Sequence, residues 1–340
     1  MKTQPNLLKM ILTGLFLLLV VTFLAYQRSH KPRVFILHSY NQELPWVQSL
    51  NRGVAQVFGD KAYMNLRYFY MDTKSLHPNR YLERMNTIIT KAIAAWKPDI
   101  IIAFDYDAHN LVRKQFANNP KIKLVLAGVA DSKRWAEYES TPNITGITEQ
   151  IPVNAIREIL SLIFPHQKRI YYLSDDSASA RQLDEEMSNE NWSTFKLVRR
   201  RVKTFAEWKA AVREAGKSAD IILVSTFYTI TDGSQQINPT QLIRWMNENS
   251  RIPSVGMYES FIINGGMMAI AISGSEQGHT AAWLALNILE KKMSIQNIPL
   301  IHGKTFSFFV NKPLLQKKFP KIHIPEILDA FSKFHKLGEK

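Results

Sequence analysis

Acids, hydroxyls and aromatic rings in this chain gather at the ends of apolar, β-branched runs. Asp105-Tyr-Asp-Ala-His109 follows the run 99–104, so Asp105 and Tyr106 are expected to stand in a cleft while Asp107 caps the next helix. A carboxylate fixed in a partly desolvated pocket is what pairing with a ligand ammonium needs. Ser174-Asp-Asp176 follows 169–173, Thr226-Phe-Tyr228 follows 220–225, and Tyr258-Glu259 follows 253–257. Near the start, Arg33-Val-Phe-Ile-Leu-His-Ser-Tyr-Asn-Gln-Glu-Leu-Pro-Trp46 reads as a buried strand, a polar aromatic loop and a helix. Small molecules bind outside the carboxyl ends of strands in open α/β sheets, which places His38, Ser39, Tyr40, Asn41 and Trp46 among the first contacts. Trp46 reads equally well as a core anchor.

Together these residues predict a ligand-binding set of Ser39, Tyr40, Asn41, Trp46, Asp105, Tyr106, Ser174, Asp175, Thr226, Phe227, Tyr258 and Glu259. The rings could sandwich an apolar group or ring, and Asp105 and Glu259 could hold an amine, which favours an amino-acid-like solute over a sugar or phosphate. No catalytic constellation accompanies them. The chain lacks a Gly-x-Ser-x-Gly elbow, a Gly-x4-Gly-Lys-Ser/Thr phosphate loop and a His-Glu-x-x-His pair. Gly274-Ser-Glu-Gln-Gly278 has the wrong spacing for the elbow. The nine histidines are dispersed, and His38, His109 and His279 read as structural. Neither a metal nor a cofactor is expected. Two other classes stay open: a hydrolase using Asp105 and Asp107, or Asp175 and Asp176, as paired carboxylates, and an interaction module that needs no solute.

The elements that must position these residues alternate. Strand-like runs fall at 34–38, 65–70, 99–104, 123–127, 169–173, 195–199, 220–225 and 253–258, with helical periodicity at 81–96, 153–164, 205–215 and 241–249 between them. Such alternation means right-handed βαβ units and parallel sheets. The pattern occurs twice, and Thr141-Pro-Asn-Ile-Thr-Gly146 reads as a crossing between the halves. A further apolar run at 267–272, a helix at 280–292 and a strand at 305–310 follow. The expected division is 1–32 for an N-terminal anchor and juxtamembrane segment, 33–143 plus 273–304 for the first lobe, and 144–272 plus 305–340 for the second lobe and tail. Two lobes joined by more than one crossing make a hinged clamp.

The first residues bear on location. No charge occurs between Lys9 and Arg28, and 10–26 as a helix spans roughly 25 Å. Signal cleavage after Ala25 would put bulky Phe23 at the outer recognition position, and without any cysteine there is no lipoprotein anchor. The expectation is an uncleaved signal anchor, Lys2 and Lys9 inside, holding the rest in the periplasm of a single-pass inner-membrane protein. The absence of cysteine also removes disulfides, thiolate zinc sites and thiol nucleophiles. With 46% hydrophobic and 21% charged residues the remainder is ordinary globular material. The net charge of +14 is scattered, with dense runs only at Arg199-Arg200-Arg201 and Lys317-Lys318, and export argues against nucleic acid as a partner.

Several pieces recur in a fixed order: Leu37-His-Ser-Tyr with Pro45-Trp46, Tyr70-Met-Asp-Thr-Lys74, Pro98 through Ala108, Ala127-Gly-Val129, Ile144-Thr-Gly-Ile147, Gly265-Gly266, Glu276-Gln-Gly278, Ala281-Ala282, Phe309-Val-Asn-Lys-Pro, and Ile322-His-Ile-Pro325. In order and spacing they resemble the substrate-binding proteins of ABC transporters, in the branch with tryptophan-type binders, and the related extracellular sensor domains of bacterial histidine kinases and cyclic-nucleotide signalling enzymes. The resemblance implies a type I periplasmic-binding fold, two Rossmann-like lobes closing on a small solute without chemistry on it. Transport members are usually released or lipid-anchored, and sensor members carry an intracellular output domain. This chain offers neither feature, so the expected partner is an inner-membrane permease or a separate membrane signalling protein.

Overall fold

The computed structural model describes residues 7–29, 31–75, 77, 80–130 and 132–332. The apolar runs form β1 (Arg33–His38), β2 (Asn65–Tyr70), β3 (Ile100–Phe104), β4 (Lys123–Ala127) and β5 (Ile144–Thr148). After the first crossing come β6 (Arg169–Asp175), β7 (Lys196–Val202), β8 (Ile221–Val224), the short pair β9 (Thr231–Asp232) and β10 (Gln235–Gln236), β11 (Ser254–Gly256) and β12 (Met268–Ile272). Two more crossings place β13 (Ile301–His302) and β14 (Phe306–Val310) in opposite lobes. All five residues of β3 are buried, as a strand covered on both faces by helices must be.

The two six-stranded sheets repeat one winding. The first is ordered β13-β5-β4-β3-β1-β2 and is parallel throughout; the second is ordered β14-β12-β11-β8-β6-β7 and is parallel apart from β14. In each, the chain starts one strand in from an edge, steps outward once to that edge and then reverses direction. That leaves a switch point between β1 and β3 in one lobe and between β6 and β8 in the other, where crevices open at the strands' carboxyl ends. The register pairs His38 with Phe104 and Leu173 with Val224, so the loops leaving these strands meet at the crevices.

Ile144–Thr148 departs from expectation. It belongs to the first sheet, between β4 and β13, and the crossing lies after it. Pro142 and Gly146 read as breakers, yet Ile144, Thr145, Ile147 and Thr148 are β-branched and every residue of the strand is buried. The segment that returns from β12 lies with the first lobe: the helix Gly274–Leu289 packs on the helix Pro45–Phe58. Their backbones approach so closely that a Cβ on Gly278 would stand 2.0 Å from the Leu50 carbonyl oxygen and one on Gly53 2.1 Å from that of Ser275. Glycine is what permits the contact.

At the start, Leu7–Ser29 forms a 23-residue helix whose large apolar side chains between Met10 and Phe23 are exposed. Among the described residues, however, no helix is long and apolar enough to cross a membrane, so the expected span is not met. Lys2, half of the expected cytoplasmic charge, and the tail beyond 332 lie outside the described residues.

Candidate functional site

The site starts where β1 and β3 end side by side. Ser39 closes that end: its Oγ donates to the Phe104 carbonyl at 2.9 Å and accepts from the Ala108 amide at 2.9 Å. This fastens the first turn of the helix Asp105–Phe116 to β1. Asp105 opens that helix with φ 68°, in the left-handed region, at a cost on the order of 1 kcal/mol that Asp tolerates better than most residues. The turn aims its carboxylate inward, where only 2% of the residue is exposed. Trp46 Nε1 donates to Oδ1 at 2.7 Å; Oδ2 is buried without a hydrogen-bond partner. Gly128, itself at φ 76°, makes room, since a Cβ there would lie 2.9 Å from Oδ1.

Burial raises the Asp105 pKa well above its ordinary range; the Trp46 hydrogen bond opposes this and the charge of Glu149 adds to it. Glu149, just past β5, is also raised by burial, against the Tyr258 hydrogen bond and the charge of Lys74. Tyr258 reaches across from the second lobe and donates to Glu149 Oε1 at 2.6 Å, while its ring meets Trp46 edge-on at 5.6 Å. Lys74, 8% exposed, holds its Nζ 4.4 Å from the centre of the Tyr40 ring. The first lobe therefore brings two acids, one ammonium and two large rings to one place.

Tyr40, Leu44, Trp46, Lys74 and Asp105 form one side of a cavity of about 40 Å³, and Ser179, Thr226, Tyr228, Tyr258 and Ser260 form the other. A space of this size holds a few waters. A larger solute needs the lobes to part. Outside it, Tyr40 and Lys74 also border a wider space of about 440 Å³ with His77, Tyr81, Asp107 and Ser179. Tyr106, Gly128, Glu149 and Tyr258 border a third, of about 30 Å³.

Of the residues expected from sequence, Tyr40, Trp46, Asp105, Thr226 and Tyr258 line the central cavity, and Tyr106 lines its neighbour. The other six do not reach it, for identifiable reasons. Ser39 is used in the β1–β3 junction. Asn41 donates to Asp72 Oδ1 at 2.9 Å and holds the 72–75 turn. Ser174 is fully buried in β6. Asp175 accepts from Ser177 Oγ at 2.7 Å, Thr226 Oγ1 at 2.7 Å, the Thr229 amide at 3.1 Å and the Ser177 amide at 3.3 Å, which consumes its carboxylate. Phe227 is 1% exposed and packs in the second lobe's core against Phe261. Glu259 sits at the rim, 3.4 Å from Arg52 of the opposite lobe.

Neither adjacent pair of carboxylates converges on one space. Asp107 accepts from Thr73 Oγ1 at 2.6 Å and borders the outer space, whereas Asp105 borders the inner one. Asp176 is engaged by Arg181 at 3.0 Å, Arg201 at 3.2 Å and Lys203 at 3.5 Å. His38 is stacked between Tyr70 at 5.1 Å and Phe104 at 4.8 Å; burial, outweighing the neighbouring Asn51, lowers its pKa to about 3. Sequence reasoning missed Leu44, Lys74, Glu149, Ser179 and Ser260, and left Tyr228 out of the binding set although it stands in the strand-end cluster Thr226-Phe-Tyr228. Lys74, Glu149 and Tyr228 each follow a strand end, the same signal that marked the others.

Residues 45–334 match the family model described as ABC transporter substrate binding protein. The chain belongs to that family. Among curated proteins it is similar to a tyrosine-binding protein of Clostridioides difficile (strain R20291), 20% identical over 81% of this chain and 77% of the relative. Among solved structures, this family member resembles a Streptococcus pneumonia ABC domain in complex with L-Trp, with TM-score 0.68 at 15% identity over 89% of this chain and 99% of that one. It also resembles a ligand-free, open substrate binding protein with adhesive properties from Clostridium difficile, with TM-score 0.64 at 16% identity over 90% of this chain and 99% of that one. These likenesses show the two-lobed fold.

Proposed function

We propose that the protein is an extracytoplasmic solute-binding protein, held at the membrane by its N-terminal helix, that closes two lobes on a small organic ligand carrying an ammonium group. The ligand is amino-acid-like and aromatic, and it is bound without bond-breaking for an ABC permease or a separate signalling protein. One observation carries this reading: Asp105, a buried carboxylate with one oxygen unpartnered, stands at the switch point of the first sheet inside a cavity walled by Tyr40, Trp46, Tyr228 and Tyr258. A ligand ammonium would supply that oxygen's partner as a charge-assisted hydrogen bond, and the rings would pack the ligand's apolar body. A solute touching both lobes stabilises closure by its extra contacts there, which is all a clamp requires. The relatives described as tyrosine-binding and as complexed with L-Trp support the ligand class. The exposed apolar side chains between Met10 and Phe23 support the tether, because they find no cover among the described residues.

The test is calorimetric titration of the full chain in detergent with the common amino acids, on wild type and Asp105→Asn. Binding of at least one aromatic amino acid is expected, weakened about 100-fold by the substitution, in the range for losing one partner of a desolvated charge pair. No heat with any amino acid would overturn the reading. Alkaline extraction of membranes checks the tether, with the full chain expected in the pellet.

A further inference from the structure

We infer that Lys74 is the anion-binding half of this site: the cleft takes a zwitterion, whose ammonium meets Asp105 and whose carboxylate meets Lys74. The inference rests on the proposed solute-binding role and specifies it.

Two opposite charges line one cavity without meeting each other. Lys74 is 8% exposed, yet among the described residues no carboxylate lies within ion-pair distance of its Nζ and no hydrogen bond reaches it. Its contact is the face of Tyr40, 4.4 Å away. Lysines buried to this degree are ordinarily paired. Asp105 Oδ2 is the matching case of opposite sign. Glu149 has a direct hydrogen-bond partner in Tyr258 and feels the charge of Lys74 only at longer range, so the two charged groups of the cavity without a direct polar partner are the Lys74 ammonium and Asp105 Oδ2.

The backbone fixes Lys74 in place. Its carbonyl oxygen accepts from Gln236 Nε2 of the second lobe at 3.0 Å, and Gln236 also binds the Tyr228 carbonyl. The lysine therefore sits where the lobes meet, at the border between the inner and outer spaces. A plain amine would satisfy Asp105 but set a second cation beside an unpaired Lys74. A plain acid would leave Asp105 orphaned and face Glu149. A molecule with both groups satisfies both ends, and its side chain is free to choose among the rings.

The test compares L-tyrosine and L-tryptophan with tyramine and tryptamine, which lack only the carboxylate, by titration calorimetry on the full chain in detergent. Wild type is expected to bind the amino acid about 100-fold more tightly than its amine. In Lys74→Met that gap should close to a few-fold, mainly through loss of amino-acid affinity with a smaller gain of amine affinity as the neighbouring cation is removed, and Lys74→Arg should restore part of it. Equal wild-type affinity for acid and amine would overturn the role of Lys74 while leaving the ammonium site standing. So would tighter amino-acid binding by Lys74→Met, the mark of a lysine that plugs the site. Failure of wild type to bind any of the four, or any other amino acid, would overturn both readings. The wild-type comparison needs no variant to fold.

Discussion

Asp105 and Asp175 both stand at the carboxyl end of an interior strand, both at a switch point, both almost fully buried, and they do opposite things. Asp175 receives four hydrogen bonds from its own lobe, two from Ser177 and one each from Thr226 and Thr229. Asp105 receives one side-chain hydrogen bond, from Trp46, and keeps its other oxygen buried without a hydrogen-bond partner beside the cavity. The contrast extends to the two walls. The first lobe presents charge to the cleft, through Asp105, Glu149 and Lys74; the second presents hydroxyls and rings, through Ser179, Thr226, Tyr228, Tyr258 and Ser260. Two further acids of the second lobe are spent on its basic edge, where Arg199 and Arg201 engage Asp184 and Arg181, Arg201 and Lys203 engage Asp176. On the proposed reading, one wall recognises and the other closes. A buried carboxylate marks a site when its neighbours leave it hungry, and a turn when they do not.

The sharpest way to break this comparison is to substitute both acids. Asp175→Ala strands buried donors and should cost about 3 kcal/mol of stability, read by denaturant melts, with solute affinity per folded molecule unchanged. Asp105→Asn should do the reverse: ligand affinity falls while the ligand-free protein melts higher at neutral pH. The sign follows from its raised pKa. The stability that comes from burying a protonated Asp105 is present below the ordinary value of 3.8 and is lost as pH rises through the folded value. The melting advantage of Asp105→Asn over wild type should therefore widen as pH rises. An unchanged melt for Asp175→Ala, or a lower neutral-pH melt for Asp105→Asn, would dissolve the distinction.

A second effect separates the lobes in acid. His38 is neutral inside the first lobe, with its pKa lowered from 6.5 to about 3 by burial. Its contribution is present above pH 6.5 and is lost as pH falls toward 3, at up to about 1.4 kcal/mol per unit. In the second lobe Asp220, paired with Arg169 at 2.7 Å, is lowered from 3.8 to about 2 and weakens only below 3.8. In Asp105→Asn/Glu149→Gln, which removes the two first-lobe acids whose raised pKa values act in the opposite sense, hydrogen exchange between pH 6.5 and 4 should loosen β1–β3 before β6–β8. His38→Phe, which keeps the stack on Tyr70 and Phe104, should remove that difference.

How much of this was legible beforehand depended on distance along the chain. The alternation of apolar runs with helical periods carries the α/β class, because strand burial on both faces writes itself into contiguous residues such as Ile100–Phe104. The exception was Ile144–Thr148, where Pro142 and Gly146 mimic a linker and only pairing with β4 and β13 makes a strand. In the site, strand-end position was visible for Tyr40, Asp105 and Tyr258. Whether a polar end is open or consumed was not, since Asp175 is answered by Thr226 and Asn41 by Asp72, many residues away. The place of Lys74 depends on Gln236 from the other lobe, which no local pattern encodes.

The rim supplies the smallest test of the division between recognition and closure. Arg52 of the first lobe meets Glu259 of the second at 3.4 Å, with the arginine side chain 57% and the glutamate 29% exposed. An ion pair this open is screened and contributes about 0.5 kcal/mol or less. If the lobes part as proposed and the pair breaks with them, that energy biases closure and not contact with a solute. Arg52→Ala should therefore weaken solute affinity by no more than about 2-fold, equally for every ligand the protein binds, since RT is about 0.6 kcal/mol. Raising salt should erase the difference between Arg52→Ala and wild type, whereas the loss caused by Asp105→Asn, buried and unscreened, should persist. Ligand-dependent effects of Arg52→Ala would move the rim from the closing device into the recognition wall.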